Sequence, residues 1–162
     1  MRLHFTPIHL FRETPQVTFF DASVPGSNGT DVVVHHGAAT SPPDDGEFEQ
    51  YYVPHHQVDH NLVLHGRRTF TLLNPGWPQP HHVIHLERAM GALQIPVGTF
   101  HRSVAEAEGS LVLNQSQRDD AFDYAPEFIP VSLRGREDLQ QARQLRPWVW
   151  FWQDGHIRRS HG

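Results

Sequence analysis

A chain of 162 residues with 38% hydrophobic and 19% charged residues suits one soluble domain, residues 1–162; it has no apolar run long enough for a bilayer span or a signal peptide, so a cytoplasmic protein without membrane partners is expected. Cysteine is absent and arginine supplies all thirteen basic residues, which excludes disulfides, thiolate ligands and nucleophiles, Schiff-base lysines and a Walker-A lysine. The formal net charge of −5 argues against nucleic acid as a partner, because that role needs a basic footprint. Segments rich in β-branched and aromatic residues alternate with Pro, Gly, Asn and Asp clusters, the pattern of an all-β chain. In chain order, strands are expected near 16–20, 31–36, 49–53, 60–65, 69–73, 82–87, 91–95, 101–105, 110–115 and 148–152. Turns are marked by Pro25-Gly26-Ser27-Asn28-Gly29 and Asn74-Pro75-Gly76-Trp77-Pro78, and 37–46 reads as a surface flap. One helix is expected over 136–145, with Leu139, Ala142 and Leu145 on one side and Pro147 as its stop. In the last strand, Trp148, Trp150 and Trp152 alternate with Val149 and Phe151. Both of its faces are apolar, so it is expected to pack across a subunit boundary in a homodimer.

Histidine is over-represented, with 14 copies. Most are expected to be solvated or structural, since a single site uses three or four. Four of them fall in His55-His56-Gln57-Val58-Asp59-His60-Asn61-Leu62-Val63-Leu64-His65-Gly66. His81, His82 and His85 beside Glu87 also have ligand-like spacing, but on an intermediate strand whose setting fits a solvated surface.

A second stretch bears on the first: Gly91-Ala92-Leu93-Gln94-Ile95-Pro96-Val97-Gly98-Thr99-Phe100-His101. Pro96 pre-sets a turn, Gly98 relaxes it, and His101 opens the next strand. This P-x-G-x-x-H element resembles the second motif of the cupins, whose histidine points into a small β-barrel and commonly binds metal. Counting back from Gly66, the resemblance places Asp59 at the family's acidic ligand and His55 at its second histidine; Val53 stands at the first. It covers residues 48–115, less than half of the chain. The fold it implies is an RmlC-like cupin: an all-β jelly-roll β-barrel with its core at about 31–115, added N-terminal strands, and a short C-terminal helix and Trp-rich strand within 134–152. The site it implies is His55, Asp59 and His101 around a divalent iron, manganese, zinc or nickel ion. His56 and His60 are reserve ligands, and Gln57 is a neutral fourth. On a straight strand, residues 55 and 59 stand about 13 Å apart, so convergence requires a turn within 56–58.

The first functional expectation is therefore a small-molecule protein that uses this metal as Lewis acid or oxygen-activating centre, of dioxygenase or isomerase type. For a pure binding module, a barrel pocket lined by Tyr51, Phe70, Leu72 and histidines is expected. A second expectation comes from Asp123-Tyr124-Ala125-Pro126-Glu127-Phe128, which is similar to the Tyr-x-Pro segment after the barrel in dTDP-4-dehydrorhamnose 3,5-epimerases. Those enzymes work without metal. The likeness implies a sugar-nucleotide epimerase or isomerase with His55 or His101 as base and Tyr124 as acid. The chain lacks their Arg-Gly-x-His context and has no lysine for their motif-one basic residue. A third expectation is a non-catalytic ligand-binding cupin.

Overall fold

The computed structural model describes residues 3–162. From the N-terminus run β1 (Phe5–Thr6), β2 (His9–Glu13), β3 (Thr18–Asp21), β4 (Gly29–His35), β5 (Ala39–Ser41), β6 (Gln50–Tyr51) and β7 (Gln57–Gly66). Next come β8 (Arg68–Leu73), β9 (His81–Leu86), β10 (Ala92–Ile95), β11 (Phe100–Ala105) and β12 (Ser110–Arg118). The C-terminal part holds α1 (Tyr124–Glu127), β13 (Val131–Ser132), α2 (Glu137–Gln144), β14 (Trp148–Gln153) and β15 (His156–His161). A five-stranded sheet of order β1-β10-β7-β12-β4 faces a six-stranded one of order β15-β14-β9-β8-β11-β5. β2 with β3, and β13 with β6, form separate ribbons. This is the expected all-β jelly roll; among the described residues no hydrogen-bonded ladder joins the two sheets into a closed barrel.

Strand alternation sorts the side chains. Val63 and Val112 from one sheet meet Phe70, Leu72, Ile84 and Leu86 from the other in the main core. The outer face of β7 is covered as well: Leu62 and Leu64 pack under Ile8, Phe20 and Val24 of the N-terminal segment. A third cluster seats α2, whose Leu139 and Ala142 are buried against Tyr51 and Leu73. Leu145, expected on that same face, lies beyond the helix end and is exposed. The expected flap at 37–46 contains a short strand, β5, paired with β11.

The Trp-rich strand differs from its expected role. β14 is an interior strand, parallel to β9 on one edge and antiparallel to β15 on the other. A hairpin turn with positive φ at Asp154 and Gly155 creates that second partner. Trp150 is buried in the core and Trp148 and Trp152, partly buried, pack against it, so the indoles contribute to the core of the chain itself. Among the described residues, no helix is long and apolar enough to cross a membrane.

His81 and His82 are buried, contrary to the expected surface setting; only His85 is exposed. Trp150 Nε1 donates to His82 Nδ1 at 3.0 Å, and His82 Nε2 donates to the Gln79 carbonyl at 3.0 Å. These bonds fix a neutral tautomer, and burial pushes the His82 pKa down to about 4. The unfolded histidine takes up a proton first, so this contribution to stability is lost as pH falls from 6.5 towards 4. His82→Ala is expected to cost about 2 kcal/mol at neutral pH by leaving the Trp150 indole N–H unpaired, and to reduce the loss of stability between pH 6.5 and 4. Urea unfolding across that pH range checks both.

Candidate active site

The inward face of β7 changes character along its length. Val63 belongs to the core, whereas Gln57, Asp59 and Asn61 line a cavity of about 300 Å³. Opposite them stand His101 and Phe70 of the six-stranded sheet. Backbone contacts lock the two sequence motifs together. Gly98, with φ 76°, completes the turn in which Thr99 N donates to the Pro96 carbonyl, and its own N–H reaches the Pro54 carbonyl at 2.9 Å. Tyr52 and His101 exchange both backbone hydrogen bonds, at 2.9 and 2.8 Å. His101 is thereby held across the cavity from Asp59.

His101 Nε2 and Asp59 Oδ2 are 3.9 Å apart. Asp59 Oδ1 accepts from Gln57 Nε2 at 2.9 Å and Asn114 Nδ2 at 2.7 Å. Burial pushes the Asp59 pKa up to about 7; the Asn114 bond opposes this, and the Asp31 and Glu127 carboxylates add to it. Burial pushes His101 down to about 4, partly offset by the Thr99 carbonyl. Burial disfavours the charged form of both groups, so near neutral pH Asp59 is partly protonated beside a neutral imidazole. Two N–H donors already occupy Oδ1, so the proton resides on Oδ2, facing Nε2.

Two further groups support this pair. Arg118 Nη2 grips both Asp31 oxygens at 2.9 and 3.0 Å, and its Nε donates to Gln57 Oε1 at 3.3 Å. Its guanidinium lies over the Phe122 ring, and against Gly29, where a Cβ would approach to 2.6 Å. The buried Glu127 carboxylate accepts from the backbone N–H groups of His55 and His56, the shortest contact being 2.7 Å. It therefore clamps the chain just before β7.

That clamp determines the fate of the expected metal centre. The chain does turn at 55–56, but the His55 side chain is exposed to solvent. His56 pairs on the surface with Asp119 at 3.1 Å, and His60 projects from the opposite face of β7 to Asp59. Gln57 faces inward but is engaged by Asp59 and Arg118. Among the described residues, no three His, Cys, Asp or Glu side chains gather as a metal-ligand group. Of the expected set, the fold brings together Asp59 and His101 only, and the donors present do not fit the ion. Tyr124 is 61% exposed, outside the cavity lining, with its hydroxyl accepting from Arg118 Nη1 at 3.1 Å. Tyr51 packs under α2, and its neighbour Tyr52 lines the cavity instead. Asn114, Asp31, Arg118 and Glu127 went unassigned in the sequence. No periodic signal marked them: Glu127 lies on α1, Asp31 follows Thr30 in β4, and β12 is polar at every position from Asn114 to Arg118.

Comparison with solved structures places this architecture. QdtA, a sugar 3,4-ketoisomerase from Thermoanaerobacterium thermosaccharolyticum in complex with TDP, superposes with a TM-score of 0.58 at 11% identity, over 78% of this chain and 86% of that one. A 3,4-ketoisomerase from Helicobacter canadensis gives 0.56 at 12% identity, over 88% and 98%. The dTDP-4-dehydrorhamnose 3,5-epimerase from Elizabethkingia anophelis NUHP1 gives 0.55 at 13%, over 86% and 84%. The fold is that of the RmlC-like cupins. No family model and no curated protein matches the chain by sequence. At these identities the likeness is one of fold, and the RmlC-like scaffold is what holds the Asp59–His101 pair.

The folded Asp59 pKa near 7 lies above its unfolded value of 3.8. The folded state therefore holds the proton more tightly, and stability falls as pH rises from about 4 through 7. Asp59→Asn keeps the Oδ1 acceptor and removes the buried titration. It is expected to be more stable than the wild type by on the order of 2–4 kcal/mol above pH 7, and about equal to it below pH 4. Thermal melts at pH 4 and pH 8 measure the difference.

Proposed function

We propose that the protein moves a proton at a carbon next to a carbonyl of a sugar-nucleotide-type substrate, as a ketoisomerase, with His101 and Asp59 as the acid–base pair. The observation that carries this reading is the buried Asp59 carboxyl, whose Oδ2 stands 3.9 Å from His101 Nε2 at the wall of a cavity of about 300 Å³. Proton abstraction beside a carbonyl needs a base, and an acid to neutralise the developing enolate oxygen. In this reading His101 Nε2 takes the carbon-bound proton and Asp59 Oδ2 protonates the oxygen. Reversing both transfers at the neighbouring carbon completes the shift of the carbonyl.

Two groups 3.9 Å apart leave no room for a ligand between them, so both address the same side of whatever binds. That geometry suits a shift between adjacent atoms on one face. Epimerisation also needs a donor on the opposite face, and Tyr124, the expected candidate, lies outside the cavity lining. QdtA and the Helicobacter canadensis enzyme are 3,4-ketoisomerases, which adds support. Gln57 and Asn114 position the Asp59 carboxyl, and Arg118 positions Gln57.

In deuterated buffer, the enzyme is expected to incorporate solvent deuterium at the carbon beside the carbonyl of a keto-sugar nucleotide. His101→Asn and Asp59→Asn are each expected to slow exchange by at least about 100-fold. No exchange at high enzyme concentration, with the same compound still raising the melting temperature, would retire the reading in favour of a non-catalytic binding protein.

We also propose a cytoplasmic homodimer, formed through β4 and the β2–β3 ribbon rather than through the tryptophans. β4 is an edge strand whose outward Val32 and Val34 are 60% and 47% exposed, and the ribbon carries exposed Leu10, Phe11 and Phe19. Exposed apolar edges are pairing surfaces. Sedimentation of the wild type is expected to give a dimer, and Val32→Lys with Val34→Lys a folded monomer. A monomeric wild type would overturn this arrangement.

A further inference from the structure

Among the described residues, the buried Arg102 and the largely buried Arg118 have carboxylate partners, whereas the buried Arg68 has none. Arg102 reaches Asp44 at 2.8 Å, and Arg118 reaches Asp31 at 2.9 Å. Arg68 is 2% exposed and lines the cavity, yet among the described residues no carboxylate oxygen lies within the 4.0 Å of an ion pair. Its hydrogen bonds go to neutral acceptors only. Nε donates to Ser110 Oγ at 2.7 Å, and Nη2 to the carbonyls of Val33 and Ser110, both at 3.3 Å. Nη1 has no protein acceptor among the described residues. Burial lowers the Arg68 pKa to about 10, which leaves the group charged at neutral pH.

The groups next to Arg68 are neutral, and the cavity carboxyls Asp31, Asp59 and Glu127 make no ion pair with it among the described residues. His35 is buried, and its Nδ1 has no hydrogen-bond partner among the described residues. Its pKa is pushed down to about 4, first by burial and then by the Arg68 charge. The hydroxyl-bearing Ser41 and Ser103 line the same cavity. In the β8–β11 register Val104 stands opposite Thr69, which puts Arg68 level with residue 105. That is four residues past His101, or about 13 Å along the strand. The cavity therefore has an acid–base end, which also holds the Asp31–Arg118 pair and the Glu127 carboxylate, and an end where Arg68 is the charged group.

We propose that Arg68 is an anion subsite that holds a carboxylate or phosphate group of the ligand, while His101 and Asp59 face the ligand's other end. A buried guanidinium without a counterion is costly, and a planar donor with free capacity matches a carboxylate or phosphate. The substrate class is then a sugar acid or sugar phosphate rather than a neutral sugar. The assignment of which end reacts rests on the isomerase reading, whereas the subsite itself does not.

The test uses the full chain with inorganic phosphate, glucuronate and glucose as probes. Phosphate, glucuronate or both are expected to raise the wild-type melting temperature by about 4 °C or more, with no effect of glucose. Arg68→Gln is expected to abolish that rise and Arg68→Lys to keep part of it. A shift from phosphate alone assigns a sugar phosphate, and one from glucuronate alone a sugar acid. An equal shift in Arg68→Gln, or none with either anion in the wild type, overturns the proposal. Should Arg68→Gln fail to fold, the wild type still answers by NMR: an anion on Arg68 raises the His35 pKa from about 4, and an unmoved His35 overturns the subsite. His101→Asn is expected to retain the anion shift, so absent exchange with intact anion binding faults the isomerase reading alone.

Discussion

Everything at the site depends on one alternating row, the inward face of β7. Gln57, Asp59 and Asn61 point into the sandwich, while Val58 and His60 point away from it. A strand repeats every two residues, so a slip of one position would bury Val58 and His60 at the cavity and turn the carboxyl outward. Two features hold the register. At one end Glu127 grips the backbone of His55 and His56, and at the other Val63 is committed to the apolar core. The His60 backbone N–H also donates to Asn114 Oδ1 at 2.8 Å, and Asn114 Nδ2 reaches Asp59. One side chain of β12 thus ties both the backbone and the reactive group of β7.

Much of this was legible in the residues. The strand pattern located nearly every long strand of both sheets, because half-buried strands reveal themselves by composition and by their turns. The P-x-G-x-x-H turn placed His101 correctly, since Pro96 and Gly98 leave the backbone little choice. Asp59 was also found at the site. His55 was not, for a physical reason: it precedes the strand, where alternation no longer fixes direction, and its orientation is set by Glu127, 72 residues away. Tyr51 and Tyr52 were exchanged because β6 is only two residues long, too short for a period to be read. β15 was missed because His156-Ile157-Arg158-Arg159-Ser160-His161 has little strand character of its own; only the Asp154-Gly155 turn and its pairing with β14 make it a strand. With β15 unseen, the apolar second face of β14 had no partner within the chain.

The cavity is bought with stability from the rest of the fold. It encloses a carboxyl that resists ionising, an imidazole that resists protonation and a guanidinium with no counterion, each unfavourable in a dry interior. The apolar half of the same sandwich, from Val63 to Trp150, offsets them. A design aimed only at stability would replace Asp59 and Arg68 with apolar groups of similar size. Their presence in the cavity wall, where burial disfavours their charged forms, is consistent with a site shaped for a ligand.

The distance between the two polar ends is as important as their identity. A unit charge 4 Å from Asp59 would favour its carboxylate by about 4 kcal/mol at an effective dielectric of 20, enough to leave it ionised at neutral pH. The attraction weakens with distance, and burial, Asn114, Asp31, Glu127 and Arg118, not Arg68, set the Asp59 pKa. Arg68 can therefore stay cationic without taking the proton that Asp59 needs as an acid, and without repelling a proton arriving at His101. Arg118, which does stand near the pair, is neutralised by Asp31. The cavity thus separates the charge that recognises from the neutral groups that exchange protons, and the spacing along β8 and β11 is what keeps the two apart.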